Sequence, residues 1–321
     1  MHITLTELRY LIALDKERHF GRAARRAFVS QPTLSVAVKK IEGELGVTVF
    51  ERNRGEARLT PIGRRIIDQA YRVLGEVSAL ESVAEQGRDE LAGPLRLGVI
   101  FTVGPYLLPH LIPALREATP DMPLIIEENF TGALTQQLRN NELDAVIVAM
   151  PYEVAGMSTW PLYDESFVVV MPQQHPWAAR AEIDASDLAN EDLLLLGPGH
   201  CFRDQVLALC ADCGDRDSER QPQSGSSLET IRHMVSSGLG VTVLPHSSIP
   251  NLSQESPLLE ARPFSGPPPT RRIAIAWRKG FPRARAIASL RNAIMQCDPR
   301  GVTLLPCENA VNIDEDAFAA L

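Results

Sequence analysis

The sequence predicts a chain of two structural classes: a small α-helical domain at the N-terminus and a larger α/β region, with one long helix between them. Up to residue 60, apolar residues recur at helical spacings and two short strand signals follow. From Ile62 to Ala84 the apolar residues alternate spacings of four and three. After Gly93-Pro94, strand signals alternate with helix signals, which is typical of α/β sheets.

The length and composition limit the class of protein. The 321 residues have room for two or three domains. No run approaches about 20 apolar residues, so no membrane span is expected. The first residues lack the basic and apolar regions of a signal peptide. The five cysteines, an odd number, indicate a reducing compartment, so we expect a cytoplasmic protein without a disulfide framework. No cofactor is expected.

The charge is distributed unevenly along the chain. Residues 1–65 hold 13 Lys and Arg against 7 Asp and Glu, whereas the whole chain has a net charge of −8. A basic N-terminal segment on an acidic body is typical of nucleic-acid binding confined to one end. A solvated charged face without any ligand explains the charge alone equally well.

The N-terminal domain is predicted to contain three short helices. Thr6 can cap the first helix, and residues 21–27 form the second. Ser30 can cap the third helix, which has Pro32 in its first turn and Gly46 just past its end. One face of this third helix is predicted to be buried, because its apolar residues follow a helical period: Leu34, Val38, Ile41 and Leu45.

The opposite face of the third helix is small, polar and cationic, which suits a recognition helix in the DNA major groove. Two strands, predicted at Val47–Arg52 and Ala57–Thr60, would form a wing whose arginines reach phosphate. A generic small helical domain is the alternative. The residues expected at DNA are Ser30, Gln31, Pro32, Thr33, Ser35, Lys39 and Arg52.

A long helix is predicted to begin at Thr60-Pro61. Its pattern is that of a two-stranded coiled coil, so we expect a dimer. Packing of the same residues against their own domain is the alternative. The residues of the pattern are Ile62, Ile66, Ala70, Val73, Val77, Leu80 and Ala84.

Seven strands are predicted after a boundary at residues 88–94. Helices are expected near residues 105–117, 132–141, 203–212, 227–237 and 283–296, and this alternation predicts parallel sheets. Thr102 and Thr131 follow two of the strands, where ligands bind in open α/β sheets, although a threonine there is also a common cap. The strands are Leu95–Ile100, Leu124–Glu128, Asp144–Met150, Ser166–Met171, Leu193–Leu196, Val241–Leu244 and Arg272–Trp277.

Cys201 is predicted to lie at the N-terminus of a helix, after the turn Gly197-Pro198-Gly199. The unpaired N–H groups of such a helix end favour the thiolate form of a cysteine. His200 and Arg203 are possible cationic or hydrogen-bonding neighbours. A free cysteine is also commonly a buried apolar residue without chemistry.

Cys210 makes this stretch more specific. On an intact helix, nine residues separate the Cα atoms of Cys201 and Cys210 by roughly 13 Å. A disulfide tolerates a Cα separation of no more than ~7 Å. If these two cysteines bond, the segment must therefore refold.

The segment Gly199–Gln205 with Cys210, followed by Ser227–Arg232, resembles the peroxide-sensing members of the LysR-type transcriptional regulators. Residues 30–35 (Ser-Gln-Pro-Thr-Leu-Ser) and 45–52 resemble the winged helix-turn-helix of that family, and the resemblance extends over residues 1–300. It implies that Cys201 is oxidised by hydrogen peroxide to a sulfenic acid and that Cys210 resolves it to a disulfide. The effector region would refold and alter promoter contacts at oxidative-stress genes.

The same resemblance implies which residues bind peroxide. Thr102, Thr131 and His200 would hold the peroxide, and Arg278 would stabilise the thiolate. The implied partners are double-stranded promoter DNA, hydrogen peroxide, RNA polymerase and further copies of the chain in a homodimer or homotetramer.

The resemblance also implies an effector region of two Rossmann-like subdomains, as in periplasmic binding proteins. The chain would cross between them near Tyr163 and near Phe264–Thr270. The expected domains are a winged helix-turn-helix at 1–60, a linker helix at 61–92, subdomain I at 93–163 and 269–300, subdomain II at 164–268, and a tail at 301–321.

Two other functions stay open from the sequence: a LysR-type sensor of a small metabolite with inert cysteines, and a thiol peroxidase. Cys213 is a departure from the family pattern and could compete with Cys210 as the resolving thiol. We otherwise interpret Cys213, Cys297 and Cys307 as incidental, because no second cysteine pair completes a metal site.

Overall fold

The computed structural model describes residues 3–53, 56–86, 89–209, 224–249, 258–297 and 301–306; for residues 52, 53, 78, 79 and 81–86 it describes the backbone alone. The chain divides near residue 88 into two compact units, a helical N-terminal unit and a larger α/β unit. None of the helices in the described ranges is long and apolar enough to cross a membrane.

The N-terminal unit is built on the helices α1 (Leu5–Glu17), α2 (Phe20–Arg26) and α3 (Gln31–Leu45). The prediction that Thr6 caps α1 is wrong, because Thr4 is the cap. The Thr4 hydroxyl accepts a hydrogen bond from the Glu7 N–H, and the Glu7 carboxylate accepts one from the Thr4 N–H. This reciprocal capping box requires a Glu three residues after the cap, which only Thr4 has.

Helix α3 has the ends and the buried face that the sequence predicts. The Ser30 hydroxyl accepts from the Thr33 N–H at 3.2 Å, and Gly46 ends the helix in the left-handed conformation, with φ of 69°. Leu34, Val38 and Ile41 are at most 1% exposed and join the core of the unit. Leu45 is half-buried beside them.

The strands β1 (Phe50–Asn53) and β2 (Glu56–Leu59) form an antiparallel wing; β1 is shorter than predicted, and β2 has the predicted length but begins one residue earlier. Helix α4 (Pro61–Gln86) begins where the sequence predicts, and the Thr60 hydroxyl accepts from the Gly63 N–H at 2.8 Å. The alternative of packing against its own unit holds in part, because Ile66 lies against the core of that unit, and the coiled coil stays a prediction. Ala70 is buried, whereas Ile62, Val73 and Leu80 are 39%, 37% and 71% exposed in the single chain.

The α/β unit alternates strands with helices as predicted, with three additional strands, β8, β10 and β12. The helices are α5 (Gly104–Ala118), α6 (Thr131–Arg139), α7 (Cys201–Leu207), α8 (Leu228–Ser236) and α9 (Ala284–Gln296). The strands are β3 (Leu95–Ile100), β4 (Leu124–Asn129), β5 (Ala145–Ala149), β6 (Met157–Pro172), β7 (Leu195–Leu196), β8 (Ser224–Gly225), β9 (Thr242–Pro245), β10 (Leu259–Pro263), β11 (Thr270–Arg278) and β12 (Val302–Leu304).

The prediction of purely parallel sheets is wrong, because the main sheet is mixed. Strand β3 pairs in parallel with β4 and β5, but β11 pairs antiparallel with both β5 and β6. The reason is the unexpected length of β6. Its 16 residues are buried on both faces, so its sequence does not alternate, and Pro161 interrupts the apolar run.

Strand β6 also carries the chain from one hydrophobic core to the other. Its residues up to Tyr163 pack in a core built on β3, β5 and α5, and its residues from Phe167 pack in a second core with α7 and α8. The return lies between Phe264, in the second core, and Ile273, in the first. Strands β6 and β11 pair side by side at this point, with Arg271 opposite Glu165.

The two valines of α3 test which face of that helix is buried. Val38→Ala should lower the free energy of unfolding of the N-terminal unit by roughly 2 kcal/mol, because it removes two buried methyl groups and leaves a cavity. Val36→Ala on the same helix is the matched control, since Val36 is 67% exposed, and it should change that free energy by less than about 0.5 kcal/mol. Urea unfolding followed by circular dichroism measures both. Equal losses would contradict the orientation of α3.

Candidate thiol site and DNA-binding surface

Cys201 is the first residue of α7 and is half-buried. The loop before it turns at Gly199, whose φ of 97° is left-handed, and His200 occupies the N-cap position. Strands β3 and β4 end at the same edge of the sheet, because they are parallel and Ile100 pairs with Asn129. The residues that follow each strand therefore come together beside Cys201.

A small cavity joins these elements, with a volume of about 10 Å³. This is close to the space that one buried water molecule occupies. The structure thus brings Cys201 and three predicted ligands, Thr102, Thr131 and His200, to a single cavity. The complete lining consists of Ile100, Phe101, Thr102, Asn129, Phe130, Thr131, Gly199, His200 and Cys201.

Thr131 contacts the sulfur of Cys201 directly. Its hydroxyl lies 3.8 Å from the Cys201 Sγ, within the distance of a weak hydrogen bond to sulfur. Thr131 is also the first residue of α6, so the backbone of that helix fixes its position. An O–H donor at this place can stabilise negative charge on the sulfur or on a neighbouring oxygen.

His200 is 7% exposed and lies against two aromatic rings. Its ring centroid is 4.7 Å from that of Phe130 and 5.9 Å from that of Phe101. Burial lowers the pKa of His200, and a hydrogen bond to the backbone of Ser226 opposes this shift only in part. Of the two roles that the sequence left open, the neutral hydrogen-bonding role therefore fits His200 better than the cationic one.

Thr102 is held by an arginine that the sequence interpretation missed. The Thr102 hydroxyl accepts a hydrogen bond from the Arg271 guanidinium at 2.8 Å, and its carbonyl oxygen accepts another at 2.9 Å. The hydroxyl keeps its own proton for a second partner. Arg271 and Glu165 form an ion pair at 2.7 Å, and both side chains are fully buried. Ser247 also donates its hydroxyl to Glu165.

A pattern in the sequence could have indicated Arg271. Neighbouring residues of a strand point to opposite faces, so one arginine of the pair Arg271-Arg272 in β11 must point inward. The structure places Arg272 on the outer face, in an ion pair with Asp164, and Arg271 inside. The Arg271 guanidinium also lies 5.0 Å from the ring centroid of Phe202, the neighbour of Cys201.

Arg278, expected at the thiolate, is not part of the cavity lining, and its role at the thiolate stays a prediction. Its guanidinium donates hydrogen bonds at 2.6 and 2.5 Å to the carbonyl oxygens of Leu138 and Leu143. The Asp144 carboxylate lies 4.0 Å from the Arg278 guanidinium. These contacts join α6 to the start of β5, which is a structural role. Arg271, seven residues earlier on β11, is the arginine that reaches the cavity lining.

The remaining cysteines divide into two groups. Cys210, Cys213 and Cys307 lie outside the described residues, so the pairing of Cys201 with Cys210 stays a prediction. Cys297 is 6% exposed, and its thiol lies 3.2 Å from the Ala293 carbonyl oxygen. Burial raises the pKa of Cys297, which keeps the thiol protonated and unreactive.

The outer face of α3 presents the predicted DNA contacts to solvent. Of the seven residues, Ser30, Gln31, Pro32, Thr33 and Lys39 are exposed and Ser35 is half-buried. The backbone of Arg52 lies in β1, and its side chain is outside the described part. Lys40, beside Lys39, is an ion-pair partner of Glu7 at 2.7 Å, so it contributes less positive charge to this surface.

A helix-turn-helix with a wing, followed by a two-core α/β unit around a small thiol cavity, defines a DNA-binding regulator with a sensing region. Family models match both parts: the helix-turn-helix of bacterial regulatory proteins of the lysR family at residues 5–64, and the LysR substrate binding domain at residues 88–297.

Individual relatives narrow the family. The DNA-binding transcriptional dual regulator OxyR of Escherichia coli K12 is 40% identical over 293 residues, which is 91% of this chain and 95% of that protein. The hydrogen peroxide-inducible genes activator of Pectobacterium carotovorum is 40% identical over 92% of this chain and 96% of its own length. A full-length OxyR variant from Pseudomonas aeruginosa is 53% identical, with a TM-score of 0.74 over 92% of this chain and 99% of that one. The chain therefore belongs to the LysR family of transcriptional regulators, in its OxyR group.

The two adjacent arginines of β11 test the buried ion pair. Arg271→Ala should lower the free energy of unfolding of the α/β unit by about 3–5 kcal/mol, because it leaves the Glu165 carboxylate buried without its partner. Arg272→Ala is the matched control and should cost less than about 1 kcal/mol, because its pair with Asp164 is partly exposed. Tryptophan fluorescence during urea unfolding reports this unit, since all three tryptophans lie in it. Similar losses of unfolding free energy in the two variants would refute the assignment of Arg271, rather than Arg272, to the buried ion pair.

The lowered pKa of His200 predicts a pH dependence of stability. Below about pH 6.5, the ordinary pKa of a histidine, the unfolded chain takes up a proton that the folded chain resists. Stability contributed by the neutral ring is thus fully present above that pH and is lost as the pH falls toward the folded pKa. The unfolding free energy of the wild type should therefore fall more steeply than that of His200→Gln between about pH 7.5 and about pH 5.5. If the unfolding free energies of the wild type and His200→Gln fall equally with pH, His200 is not held in its neutral form.

Proposed function

We propose that this chain senses hydrogen peroxide at Cys201 and transmits its oxidation to promoter DNA. The observation that carries the proposal is the cavity of about 10 Å³ in which the Cys201 thiol meets Thr102, Thr131 and a neutral His200. A cavity of this size holds about one water-sized group beside the sulfur and is too small for most metabolites. The names of the OxyR relatives, among them the peroxide-inducible genes activators, agree with this ligand.

The first chemical step is a nucleophilic displacement at oxygen. The Cys201 thiolate attacks one peroxide oxygen, the O–O bond breaks, and hydroxide leaves and takes a proton to become water. The product is the sulfenic acid of Cys201. Hydroxyl donors at Thr131 and Thr102 can bind the departing oxygen as its negative charge develops. The hydrogen bond from Arg271 orients Thr102 for this role.

The second step is the capture of the sulfenic acid by the Cys210 thiol, which forms a disulfide and releases water. A continuous helix from Cys201 to Cys210 would hold the two Cα atoms roughly 13 Å apart, too far for a disulfide, so in this proposal α7 unfolds as the disulfide forms. Cys213 is the competing partner. The bond would change the packing of α7 in its core and so the shape of the effector region.

The DNA-binding part of the proposal rests on the exposed face of α3. Ser30, Gln31, Pro32, Thr33, Ser35 and Lys39, with Arg52 of the wing, would contact promoter DNA at oxidative-stress genes. The exposed apolar residues of α4 support its assignment as the dimerisation helix, because Ile62, Val73 and Leu80 are accessible to solvent in the single chain. Dimers or tetramers would then bind a two-fold site and engage RNA polymerase in the cytoplasm.

The domain division follows from the same proposal. Residues 1–60 would form the DNA-binding domain and 61–92 the linker helix. Subdomain I would contain residues 93–163 and 269–300, and subdomain II residues 164–268, with a tail from 301. The change of hydrophobic core between Tyr163 and Phe167 supports the first crossover.

A stoichiometric pulse of hydrogen peroxide on the reduced chain, followed by peptide mapping, tests the switch. The wild type should yield a peptide pair linked through Cys201 and Cys210, and neither Cys201→Ser nor Cys210→Ser should yield it. Cys210→Ser should instead accumulate a sulfenic acid at Cys201, which dimedone traps. Cys297→Ser is the control and should behave as the wild type, because this thiol is buried.

Footprinting of promoter DNA with the same samples tests the readout. Oxidation should alter the protected region for the wild type and leave it unchanged for Cys201→Ser. A Cys201 that stays a free thiol would exclude peroxide sensing and favour a metabolite sensor. A bond from Cys201 to Cys213 would retain the sensor with a different resolving partner.

A further inference from the structure

Two phenylalanines lie next to the two threonines of the thiol cavity. Phe101 follows β3 and precedes Thr102, and Phe130 follows β4 and precedes Thr131. The two rings meet edge to face, with centroids 5.2 Å apart and planes at 79°. This is a favoured geometry for an aromatic pair, so each ring stabilises the position of the other.

The ring of His200 packs against both phenylalanines, at centroid distances of 4.7 Å to Phe130 and 5.9 Å to Phe101. We call these three rings the aromatic cap. Gly199 fits the cap closely: a Cβ atom there would lie 3.3 Å from the ring of Phe130. The loop that positions Cys201 is thus packed directly on one ring of the cap.

The rings limit the size of the cavity. All three belong to its lining, and only about 10 Å³ remains between them, the threonines and the sulfur. Phe130 is 38% exposed, so this ring both lines the cavity and is accessible to solvent. An oxygen atom with one hydrogen fits beside the sulfur in such a space. A tertiary carbon with three methyl groups does not fit unless a ring moves.

We propose that the aromatic cap determines the class of peroxide that reaches Cys201, admitting hydrogen peroxide and excluding branched alkyl hydroperoxides, with Phe130 as the residue at the entrance. This inference rests on the proposed function, because it concerns the substrate of the same thiol. It goes further in assigning selectivity to side chains that touch neither DNA nor the second cysteine.

The chemistry of the two substrate classes is the same at the sulfur. The thiolate attacks the terminal oxygen, the O–O bond breaks, and the leaving group departs as hydroxide or as alkoxide, which takes a proton to give water or an alcohol. The sulfenic acid of Cys201 is formed in both cases. A difference in rate between the substrates therefore reports how the leaving group is accommodated by the cavity.

The test compares second-order rate constants for loss of the Cys201 thiol in the reduced full chain. Hydrogen peroxide and tert-butyl hydroperoxide are the two probes, and rapid alkylation followed by mass spectrometry of the Cys201 peptide is the readout. The wild type should react at least about tenfold faster with hydrogen peroxide. Phe130→Ala should lower the ratio of the rate constant for hydrogen peroxide to that for tert-butyl hydroperoxide about tenfold or more, because the wider cavity accepts the larger leaving group.

Two further variants complete the design. Phe130→Trp keeps a ring at the entrance and should retain the selectivity. Phe281→Ala is the matched control, since Phe281 is a half-buried phenylalanine of the same unit outside the cavity lining, and it should match the wild type. If Phe130→Ala loses its reactivity with hydrogen peroxide through misfolding, Phe130→Leu replaces it, because leucine keeps apolar volume without the ring.

The outcomes separate this proposal from the function on which it rests. A wild type that reacts equally fast with both peroxides would overturn selection by the aromatic cap while Cys201 stays a peroxide sensor. The same holds if Phe130→Ala leaves the ratio of the two rate constants unchanged. A Cys201 that reacts with neither peroxide would overturn the sensor itself.

Discussion

The buried ion pair of Arg271 and Glu165 is the interaction on which the geometry of the α/β unit depends. Both side chains are fully buried, and they face each other where β11 and β6 pass between the two hydrophobic cores. Two charges in such a place cost several kcal/mol of lost hydration, which only close contact and additional hydrogen bonds offset. Here Ser247 donates to the carboxylate, and Thr102 accepts twice from the guanidinium. The pair thus fixes one arrangement of the crossing strands, since any displacement leaves a charge without partners.

The same guanidinium connects the crossing strands with the thiol site. On one side it holds Thr102, whose hydroxyl lines the cavity, and on another it lies against the ring of Phe202, next to Cys201. Phe202 is 2% exposed and belongs to the second core. The position of α7 and the packing around the ion pair are therefore not independent. If Phe202 moved, the buried Arg271 guanidinium would lose its contact with the aromatic ring, and no water would be available to replace that contact.

Local patterns in the sequence were sufficient for the elements that one stretch of chain determines. The helical period of Leu34, Val38 and Ile41 predicts the buried face of α3. The strand ends indicate a ligand site at Thr102 and Thr131, and the family resemblance implies that this site includes Cys201. Where the outcome depends on distant residues, the sequence was insufficient. Strand β6 is buried on both faces, so its length has no periodic signal. Arg278 was expected at the thiolate and Arg271 was overlooked, because only the pairing of β11 with β6 decides which arginine points inward.

The short length of α7 makes this helix dependent on tertiary packing, so in the proposed switch one disulfide can unfold it. Its seven residues, Cys201–Leu207, are too few for a helix that is stable by itself, so tertiary packing must hold it. The buried side chains that hold it are Phe202 and Val206, and each contributes about 1.5–3 kcal/mol on burial. A second cavity of about 10 Å³ lies beside these two residues, so their packing is not complete. In the proposed switch, formation of the disulfide has to offset the loss of this burial. A longer, better packed helix would oppose the disulfide more strongly.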